Sequence, residues 1–522
     1  MPNHELPELA ATVLQPGFVG TSAPDWVRRR LGEGLGGVAL FARNVESPAQ
    51  VSALTAQLRA ERPDVIVAID EEAGDVTRFE SRRGSSRPGN LALGAIDDPA
   101  LTEAVACDLG ADLARAGITL DYAPDTDVNS NPDNPVIGVR AFGAEPLLVA
   151  RHSAAFVRGL QQAGVAACAK HFPGHGDTSV DSHHDVPLIA RDRAELDAVE
   201  LLPFRAAIEA GVRAVMTGHL LVPAYDDELP ATLSRRIMTD LLRGELGFDG
   251  LIVTDGIEMQ GVRRKYGLAG AAVRALAAGV DAICVGGDHA DEQTATLLRD
   301  AIVAAVRSGE LPEERLADAA ARVRALGAWT TRVQTETGSR LADGADHPVL
   351  RPAVELVRDG SQVGFEAARR AIRVTVADGA TALPIDRPAH VVEFAPPRNI
   401  AIGAETPWGV GAPLDDLLPG TTSVRLTADD LDGVADPAAP VLSGAEGRAL
   451  VLVARDVHRH PWLATALARV LEARPDAIVV EMGVPVAVLG GVHIATYGAT
   501  RALGQAAAEL IAGSAVPAPL AA

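Results

Sequence analysis

Lysine is almost missing from this chain: of 47 basic residues only Lys170 and Lys265 are lysines, and the rest are arginine. Basic residues are also outnumbered, 47 Lys and Arg against 69 Asp and Glu, which leaves a formal charge of −22. Phosphate backbones and anionic bilayers are bound through clustered Lys and Arg, so nucleic acid and membrane surfaces are excluded as partners. Cysteine is equally scarce. Cys107, Cys168 and Cys284 lie far apart, without a disulfide framework or zinc-type spacing, and read as inert buried thiols in a reducing compartment. Long apolar runs are lacking as well. The longest, around Ala477–Ala495, is broken by Glu481, Pro485 and several glycines, so it reads as buried strand and loop and not as a membrane span. Met1 to Ser22 shows no basic stretch followed by an apolar one and no lipidation cysteine, and a cytoplasmic protein is expected.

What is present fits a soluble globular protein: 522 residues, 48% hydrophobic and 22% charged, enough for two to three domains on the usual length scale. The first ~330 residues alternate short β-branched apolar runs with longer Ala/Leu/Arg stretches of helical period. Eight strands are expected, near Val13–Val19, Gly37–Phe41, Val65–Asp70, Ile118–Tyr122, Val165–His171, Ala214–His219, Leu251–Asp255 and Ala282–Gly286. Eight β/α units in one series point to an α/β fold with a TIM-type (β/α)8 barrel, a doubly wound sheet being the alternative. The segment Thr330–Pro348 is polar and glycine-containing and reads as a linker. Six further strands, Ala371–Val376, Ala389–Phe394, Ser423–Leu426, Leu450–Ala454, Ala477–Glu481 and His493–Thr496, suit a smaller αβα sandwich. The expected division is a catalytic barrel over 1–335, a linker over 336–370 and a C-terminal sandwich over 371–522.

Polar residues close most of the barrel strands, where a packed core has no use for them. Asp70 ends the third strand, Asp121 to Asp127 follows the fourth, Lys170-His171 ends the fifth, His219 the sixth and Asp255 the seventh. Barrel enzymes draw catalytic groups from such strand ends, although any single one could cap the next helix. Asp255, followed by Gly256, suits a nucleophile held on a rigid strand end. The loop after Lys170-His171 carries Pro173, Gly174 and Gly176, so the i, i+4 spacing of His171 and His175 does not lie on a helix. Without that helix, and without a catalytic Glu in an H-E-x-x-H frame, a zinc site is not expected. Asp181 stands two residues from His183. It can accept from one ring nitrogen and leave the other for acid–base work, or the pair can be an ordinary solvated loop.

Lys170-His171-Phe172-Pro173-Gly174-His175-Gly176, continuing to Asp181-Ser182-His183 and Val186-Pro187, resembles the signature loop of the β-N-acetylglucosaminidase branch of glycoside hydrolase family 3, of the muropeptide-recycling type. Gly36–Asn44, Asn134–Gly143, Met216–His219, Ala231–Ser234 and Val253–Met259 follow in the order of that family, across about the first 330 residues. The C-terminal part is similar to the family's sandwich domain in pattern and in Thr496-Tyr497-Gly498. The resemblance implies Asp255 as nucleophile and His183 as acid/base oriented by Asp181. It also implies Asp70, Arg78, Arg140, Lys170 and His171 as ligands of the non-reducing-end sugar, with Met216 lining the pocket. Two departures stand out: the family's Gly-Gly-Arg after the third strand is Ala73-Gly74-Asp75, and the residue after the nucleophile is Gly256.

The expected activity is therefore exo-acting, retaining removal of N-acetylglucosamine through a glycosyl-aspartate, with no cofactor or metal. A neutral His left after proton donation does not repel an anion, so phosphate is the alternative acceptor and a retaining phosphorylase the alternative enzyme. A β-glucosidase of the family would take its acid/base from a Glu of the second domain, for which Glu481 is the candidate. A non-catalytic sugar-binding protein is the remaining class.

Overall fold

The computed structural model describes residues 5–179, 186–287, 289–342, 360–380, 383–397, 399, 401–403 and 406–514. The chain forms two compact units. The first comprises Met1–Glu72, Pro99–Ile137 and Ala141–Val357, the second Ala73–Asp98, Gly138–Arg140 and Arg358–Ala522.

All eight expected strands of the first unit form: β1 (Leu14–Pro16), β2 (Gly37–Leu40), β3 (Ile66–Ile69), β4 (Leu120–Asp121), β5 (Ala166–Phe172), β6 (Ala214–Thr217), β7 (Leu251–Thr254) and β8 (Ile283–Val285). β2 to β7 pair in chain order as one parallel sheet. A Val253–Ala282 bridge leads from β7 to β8, and β8 pairs in parallel with β1. This ring order is that of a TIM-type barrel. Its interior is filled by alternate residues of successive strands, among them Ala39, Ile66, Ala68, Leu120, Ala166, Cys168, Ala214, Met216, Leu251 and Val253. Each strand is covered on both faces, which is why these strands read as unbroken apolar runs. The helix Glu313–Ala342 crosses the start of the segment expected to be a linker. Thr330 is buried, and Gln334 Nε2 donates to the carbonyls of Ile118 and Gly164, so this polar stretch is tied to the barrel.

The second unit holds β9 (Arg373–Val376), β10 (Ala389–Phe394), β11 (Thr422–Leu426), β12 (Ala449–Ala454), β13 (Ile478–Glu481) and β14 (Val492–Ala495). They form one sheet in the order β11-β10-β12-β13-β14-β9, parallel except for β9 against β14. In β12, Ala449, Val451 and Val453 enter one core while Leu450, Leu452 and Ala454 enter the other. That period of two places a helical layer on each face and makes the αβα sandwich. At about 1.5–3 kcal/mol for each large apolar side chain removed from water, these two cores hold the unit together. Among the described residues no helix is long and apolar enough to cross a membrane.

Candidate active site

The strand ends of the first unit gather the polar residues singled out in the sequence. Lys170, 2% exposed near the end of β5, pairs with Asp70 after β3 and with Glu72 at 2.6 Å. An ammonium taken out of water costs several kcal/mol, and two carboxylates offset that cost. Asp70 keeps a quarter of its side-chain surface exposed, so this buried cation presents a partly accessible acceptor. The compact ammonium reaches two acids at once, which a planar guanidinium would do only by displacing one of them.

His171, the next residue, is bound by its Nδ1 to Asp127 at 2.7 Å. Asp127 also accepts the main-chain N–H of His175 at 2.7 Å. Burial works to raise the Asp127 carboxyl, but His171 and His175 outweigh it and hold it below its ordinary value. Asp121, fully buried beside Glu71, is pushed well above its ordinary value by burial. Asp125, Asp127 and His171 bring donor atoms within 4.8 Å of one another and are the one set among the described residues with the composition of a cation site. The short His171–Asp127 bond makes it a hydrogen-bonded cluster that fixes the imidazole.

The loop after β5 is pinned from several sides. Asn134 Nδ2 donates to the carbonyls of His175 at 2.9 Å and Gly176 at 3.1 Å, and His175 Nδ1 bonds Thr178 Oγ1 at 2.8 Å. A Cβ at Gly176 would stand 1.6 Å from the Val128 carbonyl oxygen, so this close approach requires glycine. Asp177 accepts from Arg191 Nε at 2.8 Å, and Arg191 also donates to Ser130 at 2.9 Å. Glu200 lies behind Gly174, 3.8 Å from Arg191, and neither of its carboxyl oxygens has a hydrogen-bond partner among the described residues. Burial, with some help from Asp127, pushes it up to about 8. Asp181 and His183, the expected acid–base pair, lie outside the described residues.

Asp255 follows β7 and is partly exposed. Its N–H donates to Thr217 O at 3.2 Å, and its Oδ1 accepts the N–H of Gly256 at 2.7 Å. His219, buried at the end of β6, meets the Gly256 carbonyl through Nε2 at 3.0 Å and Thr232 Oγ1 through Nδ1 at 2.8 Å. A carbonyl can only accept, so Nε2 carries the proton and His219 acts as a fixed donor that holds the turn after Asp255. The sequence marked His219 as a strand-end residue, but nothing in it signalled this partner. Glu258, one turn on, accepts the N–H groups of Gly286 at 2.8 Å and Gly287 at 2.5 Å, tying the Asp255 turn to the end of β8. Met216 is 4% exposed in the barrel interior. Arg78 and Arg140 fold with the second unit. Glu481 is also there, 3% exposed, with Oε1 accepting the N–H of Asp456 at 2.8 Å and of Gly483 at 2.9 Å. Burial pushes it up to about 8, and it is placed as an internal brace.

Residues 24–326 match the glycosyl hydrolase family 3 N terminal domain. A β-hexosaminidase of Nitrosomonas eutropha is 39% identical over 291 residues, covering 54% of this chain and 82% of that one. A β-hexosaminidase A of Pseudoalteromonas piscicida is 37% identical over 320 residues, 56% of this chain, which spans only 53% of that longer protein. A solved glycoside hydrolase family 3 β-N-acetylglucosaminidase from Paenibacillus sp. str. FPU-7 is similar over 99% of both chains, at 33% identity and a TM-score of 0.83.

Proposed function

The chain belongs to glycoside hydrolase family 3, and from that premise we propose that it removes β-linked N-acetylglucosamine from non-reducing ends with retention of configuration. The observation that carries the reading is the seating of Asp255. Its main chain is held by Thr217 O on one side and, through Gly256, by His219 on the other, in the same unit as the Lys170–Asp70–Glu72 cluster. A carboxylate fixed in this way is a platform for attack at a single carbon.

In this reading the Asp255 carboxylate attacks the anomeric carbon as the glycosidic C–O bond breaks. The leaving oxygen takes a proton from His183, which Asp181 orients. Water then attacks the same carbon, gives a proton back to His183, and releases Asp255 from the ester. Nucleophile and acid/base work at roughly 5–5.5 Å in double displacement. Asp70, Lys170, His171, Arg78 and Arg140 bind the sugar hydroxyls, with Met216 lining the pocket. No metal or cofactor enters the scheme. The cytoplasm and cell-wall sugar recycling are the setting that the sequence resemblance favours. Phosphate in place of water would yield the sugar 1-phosphate, and this is the second reading. It draws on the neutrality of His183 after proton donation.

The test is product formation by the full chain from aryl β-N-acetylglucosaminide and aryl β-glucoside, each with and without phosphate. Hydrolysis of the N-acetylglucosaminide without phosphate, with the β-anomer released first and turnover lost in Asp255→Ala, is the expected result. Turnover that waits for phosphate would reassign the enzyme as a phosphorylase. Full activity in Asp255→Ala would overturn the mechanism, and sugar binding with no release under any condition would mark a non-catalytic protein.

A further inference from the structure

Arg78 and Arg140 lie in sequence among the barrel strands, yet both fold with the second unit, on the segments Ala73–Asp98 and Gly138–Arg140. Three residues before Arg78 stands Asp75, where the sequence departs from the family's Gly-Gly-Arg. The structure gives that departure a partner. Asp75 Oδ2 accepts from Arg455, just past the end of β12, and Oδ1 accepts the N–H of Ala499 at 2.7 Å. Both side chains are nearly buried, at 3% for Asp75 and 10% for Arg455.

Each partner is itself held. Arg455 lies over the Trp408 ring at 5.3 Å from its centre. Trp408 also packs under Arg425, whose guanidinium reaches Glu393 at the end of β10. Ala499 follows Thr496-Tyr497-Gly498, a motif that the proposed chemistry does not use. There Tyr497 takes a left-handed φ of 62° and Thr496 Oγ1 donates to Gly498 O at 2.7 Å, so the main chain is set to turn an N–H toward Asp75. The second segment is tied to the first: Asn90 Nδ2, buried, donates to the Arg140 carbonyl at 2.7 Å. Gly89 and Gly74 meet backbone to backbone, since a Cβ on Gly89 would stand 2.9 Å from Gly74 Cα. The pieces bearing Asp75 and Asn90 are thereby fixed to each other.

We propose that the second unit is a positioning platform for the two arginines, with Asp75, Arg455 and Asn90 as its positioning residues. The inference rests on the reading of Arg78 and Arg140 as sugar ligands. It gives the C-terminal segment Arg358–Ala522 a part in substrate binding through the arginines that it holds. Loss of the anchor lets the arginines drift, which weakens the hold on the sugar more than it slows attack by Asp255.

The test uses full-length Arg455→Met, Arg455→Lys and Asn90→Ala, with folding checked by circular dichroism. KM and kcat are measured on an aryl N-acetylglucosaminide, and N-acetylglucosamine binding is followed by calorimetry in an Asp255→Ala background. Arg455→Met and Asn90→Ala are expected to raise KM and Kd roughly tenfold or more with kcat little changed, while Arg455→Lys stays near wild type. If Arg455→Met does not fold, Asn90→Ala and Arg455→Lys carry the same comparison. Unchanged Kd in the folded variants, or a fall in kcat alone, overturns the platform. A wild-type chain that neither binds N-acetylglucosamine nor turns over overturns instead the functional reading beneath it.

Discussion

Replacing Glu200 by glutamine is expected to stabilise the protein in alkali and to leave it unchanged in acid. In the folded chain Glu200 is pushed up to about 8 from an ordinary 4.5, chiefly by burial, with Asp127 adding to the rise and Arg191 opposing it. Between those two values the folded state keeps a proton that the unfolded chain sheds. The stability associated with that proton is fully present below pH 4.5, declines as pH rises through the window, and is lost above about 8. At about 1.4 kcal/mol per pH unit, the interval amounts to roughly 5 kcal/mol at its upper limit. Glutamine has the shape of the protonated acid and cannot ionise, so this penalty disappears in Glu200→Gln. For a unit of this size that corresponds to a melting temperature roughly 5–10 °C above wild type at pH 9, with coincident transitions near pH 4.5. Melting curves of both proteins across pH 4.5–9 supply the check, and the titration of Glu481 cancels because both share it. A difference that is the same at both ends of the range, or a glutamine variant that melts lower at pH 9, would refute the reasoning.

Three further outcomes follow from the same geometry. Lys170→Arg keeps the charge but cannot place one atom between Asp70 and Glu72. Steady-state kinetics should show kcat/KM down about 100-fold with folding intact. Gly176→Ala drives a methyl group into the Val128 carbonyl, and the same assay should find activity down at least about 100-fold. Its melting temperature should fall only as far as one displaced loop requires. His219→Ala frees the Gly256 carbonyl, so kcat should drop roughly 10–100-fold while sugar affinity in the Asp255→Ala background is unaltered.

The strands were legible because strands buried on both faces are written as short β-branched runs, and β12 or β7 can be read without knowing their neighbours. Asp70, Lys170 and Asp255 were legible for a related reason. Each interrupts such a run at its end, where charge has no packing role. Loop allegiance was not legible. Residues 73–98 have no periodicity that says which core they join, and Asp75 could be seen only as a departure until Arg455 and Ala499 were found beside it. Glu200 was hidden differently: it opens the helix Leu201–Glu209 as an apparently ordinary acid, and its burial comes from Gly174 and Arg191 on distant turns. Thr330 to Gln334 looked like linker because their composition is polar, yet their hydrogen bonds go to barrel carbonyls.

The interleaving of the two units fixes an order of events at the ribosome. The chain passes from one unit to the other five times, at residues 72/73, 98/99, 137/138, 140/141 and 357/358. Asp75 emerges long before Arg455 and Ala499 exist, with about 400 residues still to be made, which takes roughly 20–80 s at ordinary elongation rates. When the first unit is complete in sequence at Val357, Arg455 and Ala499 are still to be made, so the Arg78 and Arg140 segments wait without their anchor. The first unit is therefore complete in sequence before the second, and the arginines settle only once Arg455 and Ala499 have been made.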